Sequence, residues 1–339
     1  MKLAWAPFSH PARTEGYGVI AGRLRHALKS AGISLISGAE FGWDAVVVLG
    51  LPAAWAVTDA GRPDMIWHTM YEMEPLPPGW ADVLNKVGAV WVPSNWCYRL
   101  FRDAGVTVPM FVSGYGVDQN CFFPVDRKVR IRERELFNKP LKFMAWGHTL
   151  TGRKNVLMAI RAFIQAGLPP DKAILEVKLQ SGESASFVND ASGNAVPGVK
   201  IFAEQWSERQ IGDWLRSGDC LIYTSAGEGY GLMPAEAGAT GATLICANNT
   251  GMQDYLTVHN ALLVPSIGTE QSPMNTIRFN TPMLQETVDQ EAIVRHIRWV
   301  FENQKQACEI GEEAASDMSL LTWENAGLSA RREIEALLA

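Results

Sequence analysis

The sequence predicts an α/β protein built from two doubly wound domains that face each other across a cleft. Its 339 residues suit two domains of ordinary size. Apolar runs of strand length alternate with stretches of helical spacing, the pattern of parallel sheets covered by helices. The alternation restarts after Pro140, where Leu141-Lys-Phe-Met-Ala-Trp opens a second series.

The composition, 47% hydrophobic and 19% charged, is that of a globular chain rather than a disordered one. A formal charge of −6 gives no overall attraction to nucleic acid or anionic lipid, so a nucleic-acid partner is not favoured. The five cysteines, at 97, 121, 220, 246 and 308, contain no Cys-x-x-Cys pair. That argues against a disulfide framework or zinc site and suits a reducing compartment. Met1-Lys-Leu-Ala-Trp-Ala-Pro lacks the apolar core of a signal peptide. The longest apolar run, Ala45 to Val57, carries Gly50 and Pro52 and is too short to span a bilayer. The expectation is a cytoplasmic protein without a membrane segment.

In the first series, Lys2-Leu-Ala-Trp-Ala reads as a strand. Gly16-Tyr-Gly18 follows as a loop before a helix from Val19, a layout that suits either an anion or a plain turn. Ile33-Ser-Leu-Ile, the fully apolar Ala45-Val-Val-Val-Leu and Asp64 to Glu72 are further strands. His68 falls at the C-terminal end of the last, where open α/β sheets place ligands, although a histidine there also serves structure. Tyr71 to Trp80 reads as a loop over the cleft, whose Glu72 and Glu74 either grip acceptor hydroxyls or are solvated charges. Ala89 to Ser94 is a strand and turn, Asn95 to Ala104 a helix, and Pro109-Met-Phe-Val a strand. Asp126 to Lys139 is the most basic stretch, with Arg127, Lys128, Arg130, Arg132 and Arg134. It reads as a solvated interdomain linker or as a contact with a phosphate-bearing acceptor or membrane surface.

In the second series, Gly147-His-Thr-Leu-Thr-Gly-Arg-Lys-Asn155 links a strand to an amphipathic helix, Val156 to Ala166. Arg153 and Lys154 stand at a helix entry, where the macrodipole disfavours positive charge, and a bound polyanion would repair that. Later come strands at Ile174 and Val199, a polar excursion from Gln180 to Pro197, and a helix from Gln210 to Ser217. Residues 266 to 285 have little periodicity and read as an insertion, an acceptor loop at most. Helices are expected over 289–306 and 324–338.

The whole chain is organised around Thr224-Ser-Ala-Gly-Glu-Gly-Tyr-Gly-Leu-Met-Pro-Ala-Glu236. Cys220-Leu-Ile-Tyr before it is a buried strand, glycines punctuate the turn, and Pro234 suits a first helical turn. Strand, glycine loop and helix start bring bare amides to a helix N-terminus, a site for phosphate. Glu228 and Glu236 bracket it, and carboxylates beside a phosphate site suit sugar hydroxyls. On the residues alone, the less favoured alternative is a surface turn followed by a helix-stabilising Glu.

Glu228-x7-Glu236 resembles the Glu-x7-Glu motif of retaining glycosyltransferases with the GT-B fold, in the glycogen-synthase-like family 4. Further matches run in order along the chain. They are Gly16-Tyr-Gly18, His68, Gly114-Tyr-Gly-Val-Asp118 with Phe123-Pro124, Gly147-His148 with Lys154, Asn249 to Asp254, and Thr322-Trp-Glu. The resemblance implies two Rossmann-like domains. The acceptor-side domain spans 1–138 and the nucleotide-sugar domain 139–305, with a returning helix over 306–339. It implies transfer of a hexose or related sugar from a nucleotide-sugar to an acceptor hydroxyl, with retention. Glu228 and His68 then lie by the donor sugar. Lys154, His148, Arg153 and the loop Gly229, Tyr230 and Gly231 meet the diphosphate, Glu236 holds the ribose, and Gly16 and Gly18 touch the donor phosphate or the acceptor. His148 replaces the family's arginine, which weakens that contact or makes it pH-dependent. Without an Asp-x-Asp motif no metal or cofactor is expected. The other readings are a nucleotide-sugar-binding subunit without activity and a GT-B epimerase. The acceptor stays open among a glycan, a lipid-linked sugar, a small metabolite and a modified DNA base.

Overall fold

The structure is a computed structural model that describes residues 1–7, 17–37, 42–52, 57, 61–180 and 196–339. Two parallel six-stranded sheets dominate it. The first holds β1 (Lys2–Pro7), β2 (Ser34–Ser37), β3 (Ala45–Leu49), β4 (Arg62–His68), β5 (Val87–Val92) and β6 (Met110–Val112), in the order β2-β1-β3-β4-β5-β6. Helices α1 (Tyr17–Ser30), α2 (Trp80–Leu84) and α3 (Asn95–Asp103) accompany it.

The second sheet holds β7 (Leu141–Gly147), β8 (Ala173–Leu179), β9 (Val199–Phe202), β10 (Cys220–Tyr223), β11 (Thr243–Ala247) and β12 (Leu262–Val264). Its order, β12-β11-β10-β7-β8-β9, reverses direction between β7 and β10. Every residue of β3, β10 and β11 is buried, which is why these strands are apolar on both faces. Helices α5 (Val156–Ala166), α6 (Glu208–Ser217), α7 (Leu232–Ala239), α9 (Gln290–Glu302) and α10 (Gln304–Met318) belong to this half.

Two readings of the sequence are corrected. The basic stretch is not a solvated linker. Residues Arg127–Phe137 form helix α4, capped by Asp126, whose side chain accepts from the Lys128 and Val129 amides. Arg127 is 4% exposed and donates to the carbonyls of Leu215, Gly218 and Thr240, so it satisfies the open C-terminal end of α6. Arg130 and Arg134 both pair with Asp219, at 3.1 and 2.6 Å. Three of the five basic side chains are thus engaged within the protein, Arg127 by carbonyl oxygens and Arg130 and Arg134 by Asp219.

The stretch 266–285 is also more than an aperiodic loop. Strands β13 (Ser266–Gln271) and β14 (Leu284–Val288) pair antiparallel around helix α8 (Pro273–Phe279). The exposure of nearly every residue of β13 hid it, because an exposed strand carries no apolar alternation. This excursion crosses to the first half. Met283 is fully buried among Tyr71, Met73 and Trp80, and Phe279 packs edge-on to Tyr71 and Trp80. The Glu74 amide donates to the Leu284 carbonyl at 3.1 Å.

A last helix, α11 (Trp323–Leu338), returns to α1. It is capped by Thr322, and Val117 ahead of it pairs with the same segment, its amide donating to Leu321 O at 2.7 Å. Among the described residues no helix is long and apolar enough to cross a membrane.

Candidate active site

The loops after β7 and β10 leave the second sheet where its strand order reverses, the place at which open α/β sheets form a crevice beyond their strand ends. The β10 loop reaches α7 through Gly231, the N-cap, whose φ of +92° is left-handed and suits glycine. No side chain caps α7 there, so its first amides stay open. Gly227 is required by close approach: a Cβ there would stand 2.1 Å from the Glu72 carbonyl oxygen of the opposite domain.

Glu228 is 6% exposed. Its Oε1 accepts from Lys154 Nζ at 2.5 Å, Ser225 Oγ at 2.6 Å and Tyr223 Oη at 2.8 Å, and Arg153 Nη1 stands 3.2 Å away. All four contacts fall on Oε1, and Oε2 accepts from none of the described residues. Burial would push this carboxyl up, but the Lys154 ammonium and the Arg153 guanidinium outweigh it and hold it at about 2. The Glu228 amide donates to Thr250 Oγ1 at 2.7 Å, which fixes the loop backbone.

The cations are equally engaged. Lys154 Nζ also donates to Tyr223 Oη at 2.7 Å and lies 5.3 Å from the centre of the Trp146 ring. Burial pushes Lys154 below its ordinary value, opposed by Glu228. Arg153 donates to the Gly227 carbonyl and stands 3.5 Å from Glu72 Oε1. Burial works against its charge, but Glu228 and Glu72 prevail and hold it above the ordinary arginine range. Two cations and two carboxylates therefore balance in one buried cluster that spans both domains.

The remaining sequence-predicted residues fall into three places. His148 is exposed on the β7 loop, with Nδ1 3.0 Å from Gln180 Oε1. Gly229 lies against the Met70 side chain, and the Tyr230 hydroxyl donates to the Tyr115 carbonyl at 2.8 Å, so it faces the first domain. His68 is fully buried at the end of β4, its ring tilted by 38° against the Trp91 ring with centroids 4.3 Å apart. Its Nδ1 meets the Trp91 carbonyl at 3.0 Å and its Nε2 the Tyr115 hydroxyl at 2.9 Å. A carbonyl only accepts, so Nδ1 carries the proton and Nε2 accepts. Burial, against that one hydrogen bond, lowers the imidazole to about 3, leaving it neutral.

Glu236 lies in the second turn of α7, half-buried and without a hydrogen-bond partner among the described residues. Burial and the nearby Glu208 push it up to about 8, against Arg23. Arg23 of α1 bridges Asp118, at 2.6 Å, and Glu208. Asp118, Cys121 and Glu208 have ligand atoms within 4.8 Å of one another, a metal-capable grouping that sequence spacing does not reveal. Arg23 holds both carboxylates, and burial pushes the Cys121 thiol up, away from the thiolate a metal needs. Gly18 sits in the first turn of α1, while Gly16 lies outside the described residues. Glu74 is exposed, whereas Glu72 is drawn to Arg153.

Tyr223, Ser225 and Thr250 were not singled out from the sequence. Tyr223 has a faint signal, as the polar end of an otherwise apolar strand. Ser225 and Thr250 reach Glu228 only through the folded loop.

The sequence matches the family described as "Family 4 Glycosyltransferase in conflict systems" over residues 124–329. No curated protein matches the chain. Among solved structures, sucrose-phosphate synthase from Thermosynechococcus elongatus superposes with a TM-score of 0.71 at 14% identity, over 99% of this chain and 98% of its own. HepE from Anabaena, solved in complex with UDP-glucose, gives 0.69 at 14% identity, over 99% of each chain. WaaG, a glycosyltransferase involved in lipopolysaccharide biosynthesis, gives 0.65 at 12% identity, over 98% of each. At such identities the likeness speaks for the GT-B fold. With the family match covering the Glu228–Lys154 constellation, the chain belongs to the family 4 glycosyltransferases of conflict systems and is a glycosyltransferase of GT-B architecture.

Proposed function

We propose that the enzyme moves a sugar from a nucleotide-sugar to an acceptor hydroxyl with retention at the anomeric carbon and without an obligatory metal ion. The observation that carries this is the division of labour on Glu228, with one oxygen held by four donors and the other unpaired among the described residues. An ionised carboxylate with one free oxygen suits a sugar hydroxyl. Beside it, Lys154 and the uncapped start of α7 suit a diphosphate, with Arg153, Gly229 and Gly231 shaping that wall. His148, exposed on the loop after β7, adds a further phosphate contact, and Gly18, in the first turn of α1, faces the donor.

In the step proposed, the bond from the anomeric carbon to the β-phosphate oxygen breaks as the acceptor oxygen bonds to the same face of that carbon. The acceptor proton passes to the departing phosphate. Lys154 and the α7 amides stabilise the charge that develops there, which leaves no step that needs a metal. Glu228 positions the sugar and is not a covalent nucleophile. Glu236 holds the ribose. His68, neutral and engaged through both nitrogens, supports the sugar subsite from below and transfers no proton. Glu72 reaches the acceptor side, and Glu74 stands at its rim.

UDP-glucose, the ligand of the HepE structure, is the first donor to try. The test is release of nucleoside diphosphate from a panel of nucleotide-sugars, with proton NMR of the sugar product. Release that depends on Glu228, with the donor's anomeric configuration kept, supports the reading. Inversion, or tight binding without release on any acceptor, contradicts it; the second result identifies a binding subunit.

A further inference from the structure

Resting on that reading of the donor site, we infer that Tyr223 is its positioning residue, because its hydroxyl is hydrogen-bonded to both Lys154 and Glu228 and ties them into one unit. The phenol is 1% exposed and closes strand β10, so the sheet itself fixes its place. It accepts from Lys154 Nζ at 2.7 Å and donates to Glu228 Oε1 at 2.8 Å. A hydroxyl has one hydrogen to give, and an ammonium accepts nothing, so this direction is the only one that satisfies both bonds.

The consequence is a matter of counting donors and acceptors. Lys154 has three N–H groups; one goes to Tyr223 and one to Glu228. A single N–H remains for a phosphate oxygen. Glu228 offers two oxygens, and Tyr223 helps to saturate Oε1, which leaves Oε2 for the sugar. Phenylalanine would fill the same volume in the strand and break this sharing. The ammonium would then have two uncommitted hydrogens in a buried setting, and the carboxylate one donor fewer.

Tyr223 also widens the pH range over which the pair is charged. As an acceptor it favours protonated Lys154, and as a donor it favours ionised Glu228. Burial already pulls Lys154 down, so the loss of an acceptor is felt directly. The other titratable groups that face the cluster are Arg153 and Glu72, with Tyr255 near Tyr223. Arg153 stays charged, and none of the three bridges the pair.

The experiment is the affinity for inorganic pyrophosphate, measured by calorimetry from pH 6 to 10, in wild type, Tyr223→Phe, Ser225→Ala, Lys154→Arg and the Lys154→Arg/Tyr223→Phe double variant. Pyrophosphate carries the diphosphate and no base, and its own titration cancels between proteins. In wild type, affinity should fall as Lys154 loses its proton. In Tyr223→Phe that fall should move down by about one pH unit, the size expected for one hydrogen bond to a charged group. Ser225→Ala removes a donor from Glu228 without touching Lys154, so its curve should follow wild type. With arginine at 154, Tyr223→Phe should shift nothing, because guanidinium keeps its proton. Superposed curves for wild type and Tyr223→Phe, or an equal shift in the arginine background, would overturn the role of Tyr223 and leave the donor site standing. Wild type that binds no pyrophosphate would instead remove the donor-site reading and this inference with it.

Discussion

Lys154 Nζ lies 2.5 Å from Glu228 Oε1, joining the loop after β7 to the loop after β10 at the point where the sheet reverses. A pair this buried is held by its partners rather than by its own attraction alone, since desolvation opposes both charges. Here Arg153, Tyr223 and Ser225 supply that support. Fixed donors of this kind are what electrostatic stabilisation of a leaving group requires.

The two motif glutamates should fail in different ways. Glu228→Gln should lower kcat by roughly 10²–10³ and leave nucleoside diphosphate binding nearly intact, as the lost charge faces the sugar. Glu236→Ala should raise the donor KM, because a ribose contact is made in ground and transition states alike. Steady-state kinetics on purified variants checks both. An unchanged kcat in the first, or a change confined to kcat in the second, would refute the assigned roles.

Stability should depend on pH in opposite senses at these positions. The ordinary value for Glu228 is 4.5 and the folded value about 2. Its contribution, roughly 3 kcal/mol on the scale of 1.36 per unit, is fully present above the ordinary value and is lost as pH falls through the folded one. Glu236 runs the other way, from 4.5 up to about 8. Its contribution is intact in acid and is lost as pH rises through about 8. Chemical denaturation should show Glu228→Gln destabilised at pH 7, with the deficit closing below pH 4. Glu236→Gln should gain on wild type between pH 5 and 8. Parallel profiles for all three proteins would contradict both assignments.

Much of this site is legible from residues, for identifiable reasons. An apolar run and three glycines mark the β10 loop, and a lysine at a helix entry is an electrostatic anomaly, which in the structure the Glu228 carboxylate meets. Other parts depend on contacts between segments far apart in sequence. Arg127 is a buried cap for carbonyls at the end of α6, yet in sequence it is one arginine in a basic run. Strand β13 is exposed along nearly its whole length, so alternation could not reveal it. Tyr223 and Ser225 are ordinary residues until the loop turns their hydroxyls onto Glu228.

Two glycines of the loop should differ in their tolerance of a methyl group. At Gly227 the added carbon would meet the Glu72 backbone at 2.1 Å, while at Gly229 it would meet the Met70 side chain at 2.9 Å. A methionine can move aside; a carbonyl held across the cleft cannot without shifting the loop. Gly227→Ala should cost about 1–3 kcal/mol and most of the activity, and Gly229→Ala appreciably less. Equal costs in thermal unfolding would show that the two domains do not meet closely at Gly227.

Chelation should leave turnover unchanged, because Lys154 and the α7 amides meet the phosphate charge and Arg23 already holds Asp118 and Glu208. Activity measured after exhaustive treatment with a chelator checks this. Loss of turnover with rescue by Mg²⁺ or Mn²⁺ would contradict it, and sensitivity of that rescue to Asp118→Asn would place the ion.

The central claim is that the Lys154–Glu228 constellation is a nucleotide-sugar site. The most direct measurement is thermal shift of wild type and Lys154→Ala against a panel of nucleotide-sugars that begins with UDP-glucose. A ligand at 100 times its Kd stabilises by about 2.7 kcal/mol, a shift easily read. The account predicts that at least one nucleotide-sugar raises the wild-type melting temperature and that Lys154→Ala, folded by the same assay, loses most of the effect. Equal stabilisation of both proteins, or none of wild type by any member of the panel, would contradict it.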